Sequence, residues 1–544
     1  MNRRRFIRNL GLGAAALAFP HLAPVPQGRA APSAGLRAAP AGATGAAGAA
    51  DRPDIVIVIA DDMGYSDLGC YGGEIATPHL DGLARRGLRF TQYHTENMCA
   101  PTRTTLLTGR YWIRGFSAGD NVTIPEALKP AGYHSCMAGK WHCTNDAGPA
   151  RRAPLARGFD RFFGTPIGCG SFFAPLMLTR DGQPAEHEWH QDKDFYYTDA
   201  ISDQAAAYIR EAPKDTPLFL YVAYTAAHWP LHACPEDIAK YKGRYAGGWD
   251  RLRETRLARM KELGVVRPDT PLSPRHPDVP AWEDEPNKAW QERRMEVYAA
   301  QVDRMDQGIG RILAALEARG RLRNTLILFT IDNGGCHVEY GANRKGNFLN
   351  ETTRDGRPLK VGNRPDVMPG PEDTWQSYGY GWANASNTPL RLFKQYDHEG
   401  GTRVPLIASW PAVIAEGGKI TDQVAHVIDL LPTALEAAGA AYPETLAGRA
   451  IAPADGLSLL PVFRGRHRQG HDALFWKFAH GRAVRKGPWK LVRMDKKPWE
   501  LYNMDADPAE LHDLASAEPG RVRELEALWQ TWNAGGQGGR KKAK

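Results

Sequence analysis

Asp54-Ile55-Val56-Ile57-Val58-Ile59-Ala60-Asp61-Asp62 is an apolar run, β-branched from Ile55 to Ile59, that stops at two adjacent carboxylates. It lacks the polar alternation of a half-exposed strand, so it belongs at the centre of a parallel sheet covered by helices on both faces. Similar runs return at Leu218 to Tyr224 and Leu326 to Ile331, and Tyr133 to Ala138 reads as a further strand. Between them, Tyr298, Val302, Met305, Ile309, Ile312 and Leu316 have the spacing of an amphipathic helix packed on a sheet. These elements predict an α/β fold with a large mixed, mostly parallel sheet flanked by helices.

Each of these strands exits into polar chemistry, and open α/β sheets place their ligands beyond the carboxyl ends of their strands. The first exit carries Asp61-Asp62, another Gly139-Lys140-Trp141-His142, another His228-Trp229-Pro230, and the last Asp332-Asn333-Gly334-Gly335. A cation would relieve repulsion between paired carboxylates, and oxygen donors without histidine pairs favour Ca²⁺ or Mg²⁺ over zinc. Cys99-Ala100-Pro101-Thr102-Arg103 adds a thiol at a helix start, a proline suited to the first turn and an arginine one turn further in. That is an anion site with a nucleophile built into it. Taken singly, each feature also has a structural reading: a core thiol, a loop-start aspartate, a surface lysine.

The chain has 544 residues, enough for a large catalytic unit with something appended. Its net charge of +8 comes from the ends: six arginines in residues 1–50 and four cations after Gly539 leave the body at −2. Bulk charge therefore gives no support to a nucleic-acid partner. Residues 1–30, with Arg3-Arg4-Arg5-Phe6-Ile7-Arg8 before a short apolar run, resemble a bacterial twin-arginine export signal. Residues 31–50 read as a disordered Ala/Gly/Pro linker, and 536–544 as a basic disordered tail. No later segment has the unbroken apolar length of a membrane span, so no stable membrane insertion is expected. The seven cysteines form no zinc pattern; Cys136 and Cys143 are near enough in sequence to pair.

Residues 235–295 read as a helical excursion and 337–388 as a long loop insertion. Arg391-Leu392-Phe393-Lys394 leads to the turn His398-Glu399-Gly400-Gly401 and a strand from Leu406 to Trp410. After about Ala440, the runs Leu474 to Phe478, Arg482 to Arg485, Trp489 to Met494 and Glu500 to Asn503 predict a smaller C-terminal antiparallel sheet, followed by a helix from Glu518 to Asn533. The organisation expected is a catalytic domain over 51–440 and a C-terminal α+β subdomain over 441–535.

The segment Cys99 to Arg110, with the four strand exits and the block from Asn387-Thr388-Pro389 through Glu399-Gly400-Gly401, resembles the sulfatase family of the alkaline phosphatase superfamily from about Ile55 to Leu514. The resemblance implies an alkaline phosphatase-like fold and a sulfuric ester hydrolase of arylsulfatase type. Cys99 would be oxidised to formylglycine by a separate maturation enzyme, and its hydrate would attack sulfur. One Ca²⁺ ion would be held by Asp61, Asp62, Asp332, Asn333 and the modified Cys99. Arg103 would hold the formylglycine side chain and offset charge near the metal, and Lys140 and Lys394 would bind sulfate oxygens. His228 would assist the leaving alcohol as an acid, and His142 would act on the second hydroxyl so that the covalent sulfate is eliminated. The division of roles between the two histidines stays open.

The same resemblance leaves two rivals, a phosphonate monoester or phosphodiester hydrolase and an unmatured calcium-dependent protein that binds sulfated glycans. The expected substrate is a sulfated small molecule or glycan, with Trp189, His190, Trp249 and Trp282 in the variable segments available to contact a ring or sugar. Export machinery of the twin-arginine type would carry the folded chain to the periplasm or outside the cell, so Cys99 would be converted before or during folding.

Overall fold

The computed structural model describes residues 52–114, 120–143 and 152–537. The expected export signal and linker, and residues 538–544 of the basic tail, lie outside the described residues. A ten-stranded sheet is built from strands between Asp54 and Thr421. In chain order its strands are β1 (Asp54–Ala60), β2 (Leu88–Phe90), β3 (His134–Lys140), β4 (Arg161–Thr165), β5 (Thr179–Arg180), β6 (Gln183–Pro184), β7 (Leu218–Ala223), β8 (Thr325–Ile331), β9 (Leu406–Ser409) and β10 (Lys419–Thr421). In space they lie β10-β2-β9-β8-β1-β7-β3-β4-β5-β6.

The five strands from β8 to β4 are mutually parallel, and β9 enters antiparallel between β8 and β2. This is the mixed, mostly parallel sheet that the apolar runs predict. Every residue of β1 is buried, as the two-faced pattern requires. The short strand β4 escapes the sequence reading because Arg161 and Gly164 interrupt its apolar character.

Register is what makes a site. Ala60 of β1 pairs with Ile331 of β8, Ile59 with Ala223 of β7, and Ala223 with Gly139 of β3. The carboxyl ends of four strands are therefore level to within about one residue, and whatever follows them is delivered to one place.

Ahead of the C-terminal sheet, the helices of eight or more residues are α1 (Pro78–Arg86), α2 (Cys99–Thr108), α3 (Tyr197–Glu211), α4 (Gly248–Glu262), α5 (Lys288–Ala318), α6 (Gly379–Ser386) and α7 (Leu430–Ala438). Helix α5 begins ten residues before the apolar spacing signals it. Its first turns bury Arg294 and Glu296 beside Trp290 and Met295, so no apolar stripe marks them. Arg294 is satisfied from afar, by the Ser377 carbonyl at 2.7 Å and Glu339 at 2.9 Å. The same helix caps α1, since the Asp306 carboxylate accepts hydrogen bonds from the backbone N–H groups of His79 and Leu80. Segment 337–388 is largely irregular, as expected, but it contains α6, a short helix rich in Gly and aromatic residues.

The C-terminal strands β11 (Leu474–Phe478), β12 (Gly481–Lys486), β13 (Trp489–Met494) and β14 (Glu500–Asn503) form an antiparallel sheet in that order. Helix α8 (Pro519–Gln537) completes its core of Trp476, Leu491, Leu501, Leu525 and Trp529 and runs two residues into the segment assigned to the tail. All seven cysteines are free, Cys136 and Cys143 included. Among the described residues, no helix is long and apolar enough to cross a membrane.

Candidate active site

Cys99 is the first residue of α2, just after Met98 in extended conformation, and is 2% exposed. The helix N-terminus favours negative charge at this point. Thr102, one turn in, pins the helix to the sheet by donating its hydroxyl to the Asp332 carbonyl at 2.6 Å.

Arg103 ties the strand exits together. Its Nε and Nη2 donate to Asp332 Oδ2 at 3.0 and 2.9 Å, and Nη2 lies 3.5 Å from Asp61 Oδ2. The remaining donors reach the Lys140 and Tyr224 carbonyls at 3.3 Å each. A fully buried guanidinium is tolerated only when paired in this way.

The two lysines also sit on carboxylates. Lys140 Nζ donates to Asp61 Oδ2, and Lys394 Nζ donates to Asp62 Oδ1 at 2.6 Å. Lys394 Nζ is also 4.0 Å from Cys99 Sγ. Burial opposes the charge on both ammonium groups, but Asp61 and Asp62 hold them protonated, above their ordinary range. Burial likewise opposes ionisation of Asp62, yet Lys394 and His228 keep that carboxyl below its usual range. Asp332 moves the other way, up to about 6, through burial and the charge of Asp61. Burial raises the Cys99 thiol above its ordinary value, with Lys140 and Lys394 opposing.

Of the two histidines, His228 is the better anchored. Its Nδ1 is 2.6 Å from the Trp229 carbonyl, which can only accept, so Nδ1 carries a proton. That fixes Nε2 towards Asp62 Oδ2, 3.3 Å away. Burial pushes its pKa down to about 3, against the pull of Asp62. His142 stands just past β3 with a positive φ of 43°, its ring packed on the Gly168 backbone and its Nδ1 buried without a partner. Burial, then Lys140 and Arg103, keep it neutral, well below the ordinary imidazole range. Asp62 also has a positive φ, 56°, and side chains rarely adopt this conformation unless the surroundings impose it.

The donor set suits a hard divalent cation. Asp61 Oδ1, Asp62 Oδ2 and Asn333 Oδ1 are buried oxygens without a hydrogen-bond partner. Ligand atoms of Asp61, Cys99 and Asp332 lie within 4.8 Å of one another, as do those of Asp61, Asp62 and His228. Asn333 is oriented by donating Nδ2 to Asp62 Oδ1 at 2.7 Å. The residues named from sequence for catalysis and metal binding are thus brought to one cluster.

Two nearby residues were given no role from sequence, Asn387, quoted only as the start of a motif block, and His337. Asn387 accepts from the Gly335 N–H and donates to the Leu392 carbonyl, joining the Asp332 exit to the Lys394 turn. His337, 7% exposed, stacks on Phe393 at 5.1 Å; burial, then His276 and Lys394, push its pKa down to about 4. It lies in the segment read as a loop insertion, and only its nearness to Asp332 in sequence hinted at the site. Of the residues offered for substrate contact, Trp249 and Trp282 are packed with Trp382 in one aromatic cluster, Trp189 is buried, and His190 is exposed beside it.

A model of the Sulfatase family matches residues 53–440, and one described as N-sulphoglucosamine sulphohydrolase, C-terminal, matches 391–523. An arylsulfatase of Klebsiella aerogenes is 35% identical over 451 residues, covering 77% of this chain and 93% of its own. An uncharacterized sulfatase of Schizosaccharomyces pombe is 31% identical over 535 residues, covering 89% and 94%. Among solved structures, Ps i-CgsB in complex with k-i-k-neocarrahexaose has a TM-score of 0.62 at 23% identity, covering 89% of this chain and 93% of that one.

Proposed function

The chain belongs to the sulfatase family and is a sulfuric ester hydrolase, and we propose that it cleaves sulfate monoesters with an oxidised Cys99 and one Ca²⁺ ion. The observation that carries this reading is the position of Lys394 Nζ, 2.6 Å from Asp62 Oδ1 and 4.0 Å from Cys99 Sγ, which sets a buried cation between a carboxylate and the first side chain of a helix. A thiol raised by burial is a poor nucleophile, which favours a different working group at that position. Oxidation of Cys99 to formylglycine supplies an aldehyde hydrate, of which one hydroxyl attacks sulfur and the other loses its proton as sulfate is expelled and the aldehyde returns.

Asp61, Asp62, Asp332 and Asn333, with the side chain at position 99, would hold the Ca²⁺ ion, which when bound polarises a sulfate oxygen and favours the ionised hydroxyl. Three carboxylates face three cations, Arg103, Lys140 and Lys394, so the protein groups balance. A divalent ion then leaves a surplus of positive charge towards a monoanionic ester. Lys140 and Lys394 are close enough to that centre to take sulfate oxygens as charge builds on them. Arg103 keeps Asp61 and Asp332 aligned and bears on the side chain at 99. His228, whose Nδ1 proton is held by the Trp229 carbonyl, presents Nε2 to the cluster, and it serves as the acid for the departing oxygen only in its doubly protonated form, which burial disfavours and Asp62 favours. His142, neutral, takes the proton of the second hydroxyl. Residues 1–30 act as a twin-arginine-type export signal in this reading, and a separate maturation enzyme oxidises Cys99 before the helix is buried.

The test is mass spectrometry of the Cys99 peptide from protein that turns over 4-nitrophenyl sulfate, with an aryl phosphodiester assayed in parallel. The aldehyde mass and a preference for the sulfate are expected. An unmodified thiol in fully active protein overturns the mechanism, and a preference for the diester overturns the substrate class.

A further inference from the structure

The turn that carries Lys394 has a second side. Arg391, Tyr396 and His398, which flank Lys394 in sequence, line a cavity of about 380 Å³ whose other walls include Arg275 from the helical excursion and Lys497 and Glu500 from the C-terminal sheet. A run of aromatic rings joins the wall of this cavity to the catalytic cluster. The ring of His276, at the cavity wall, lies 5.1 Å from Phe393, and His337 stacks on that same phenyl ring while feeling the charge of Lys394.

The lining is cationic, with Arg275, Arg391 and Lys497 against the single carboxylate of Glu500. That carboxylate is engaged internally: Oε2 accepts from Arg391 Nη2 and the Tyr502 hydroxyl and lies 3.3 Å from His398 Nε2. Arg275 is paired only at the surface, with Asp250 at 2.9 Å, and Asp278 stands 4.0 Å from His276. Lys497 is exposed and makes no ion pair among the described residues. One buried donor at the wall, Arg391 Nε, has no hydrogen-bond partner. A guanidinium N–H can only donate, so this wall calls for an acceptor.

We propose that this cavity is a second anion subsite, taking a sulfate or carboxylate carried elsewhere on the same substrate, so that the preferred substrate is a sulfated glycan with at least two anionic groups. The inference rests on the sulfatase reading above and adds a substrate class to it. The reacting sulfate meets Lys140 and Lys394, while the second anion meets Arg391, Arg275 and Lys497 in the cavity. A singly charged aryl sulfate fills only the first position.

The test compares kcat/KM for three disaccharides: one with a single sulfate and no other charge, one with two sulfates, and one with a sulfate and a uronic carboxylate. They are assayed on the wild-type protein and on a variant carrying Lys497→Gln and Arg275→Gln, both at exposed positions. We expect the wild type to prefer one or both dianionic sugars by about tenfold or more, and the variant to lose most of that preference through KM. A preference confined to one dianionic sugar identifies the second group as sulfate or carboxylate. Equal rates on all three sugars, turnover of 4-nitrophenyl sulfate with none of the sugars, or a preference that survives in the variant overturns the subsite. Failure to hydrolyse any sulfate ester, with Cys99 fully oxidised and Ca²⁺ present, overturns the underlying reading instead.

Discussion

Lys490 Nζ, on the C-terminal sheet, lies 2.7 Å from Glu399 Oε1 in the turn that follows Lys394, and both side chains are fully buried. The same ammonium group is 2.9 Å from Glu510 Oε1, while Glu510 Oε2 accepts the Glu399 backbone N–H at 2.8 Å. His94 adds a contact to Glu399 at 3.1 Å. The C-terminal sheet is thus bolted beneath the segment that presents Lys394. Removing one member strands buried charge, so Lys490→Met is expected to cost about 3–5 kcal/mol. Urea unfolding would show it, and a Lys490→Met, Glu399→Gln, Glu510→Gln triple variant should recover part of the loss. A single variant within about 1 kcal/mol of wild type would contradict the arrangement.

Cys99→Ala should lower kcat by about 10⁴-fold or more, the scale seen when a nucleophile is deleted. Its side chain is small, so the cost to stability should stay near about 1 kcal/mol. Cys99→Ser is the sharper control, since it offers a hydroxyl without the second one that releases sulfate; a burst of product with little turnover is expected in rapid-quench assays.

EGTA treatment should abolish turnover, and Ca²⁺ should restore it. A hundredfold excess of Ca²⁺ over its dissociation constant should stabilise the fold by about 2.7 kcal/mol in thermal unfolding. Asn333→Leu, which deletes a buried amide oxygen, should raise the Ca²⁺ concentration needed for half-maximal activity by about tenfold or more. Identical calcium curves for variant and wild type would remove Asn333 from the ligand set.

Asp306 gives a pH prediction away from the metal-ligand cluster. Burial pushes its carboxyl up to about 7, although it accepts the His79 and Leu80 N–H groups. An acid with a raised folded-state pKa binds more protons folded than unfolded, so its contribution to stability falls as pH rises from about 4 to about 7. In Asp306→Asn the urea midpoint should vary less with pH over that window, even though the weaker cap lowers it overall. An unchanged slope would mean that Asp306 is ionised throughout.

The central strands and their exits were legible because they need unusual residues in unbroken order. Six successive buried positions in β1 admit only apolar side chains, and chemistry at a strand end must be encoded where the strand stops. Asp61, Lys140, His228 and Asp332 could therefore be named without a structure. The start of α5 was hidden because Arg294 and Glu296 find their partners in distant loops, and β9, though read as a strand, kept its antiparallel direction hidden because four residues cannot announce one. His337 and Asn387 were obscure for the same reason: neither sits at a strand exit, and each acquires its place only through contact with the Lys394 turn.

The level ends of the parallel strands also bear on how the chain folds. Ile55 pairs with Phe219 on one side and Leu326 on the other, so the innermost strand finds its neighbours only after long stretches of chain have been ordered. Pairings so distant in sequence make loop closure costly early and slow the search. Helical signal should return quickly on dilution from denaturant, while the alignment of Asp61 with Asp332 should be among the late events, and regained turnover would then serve as a clock for completion of the sheet.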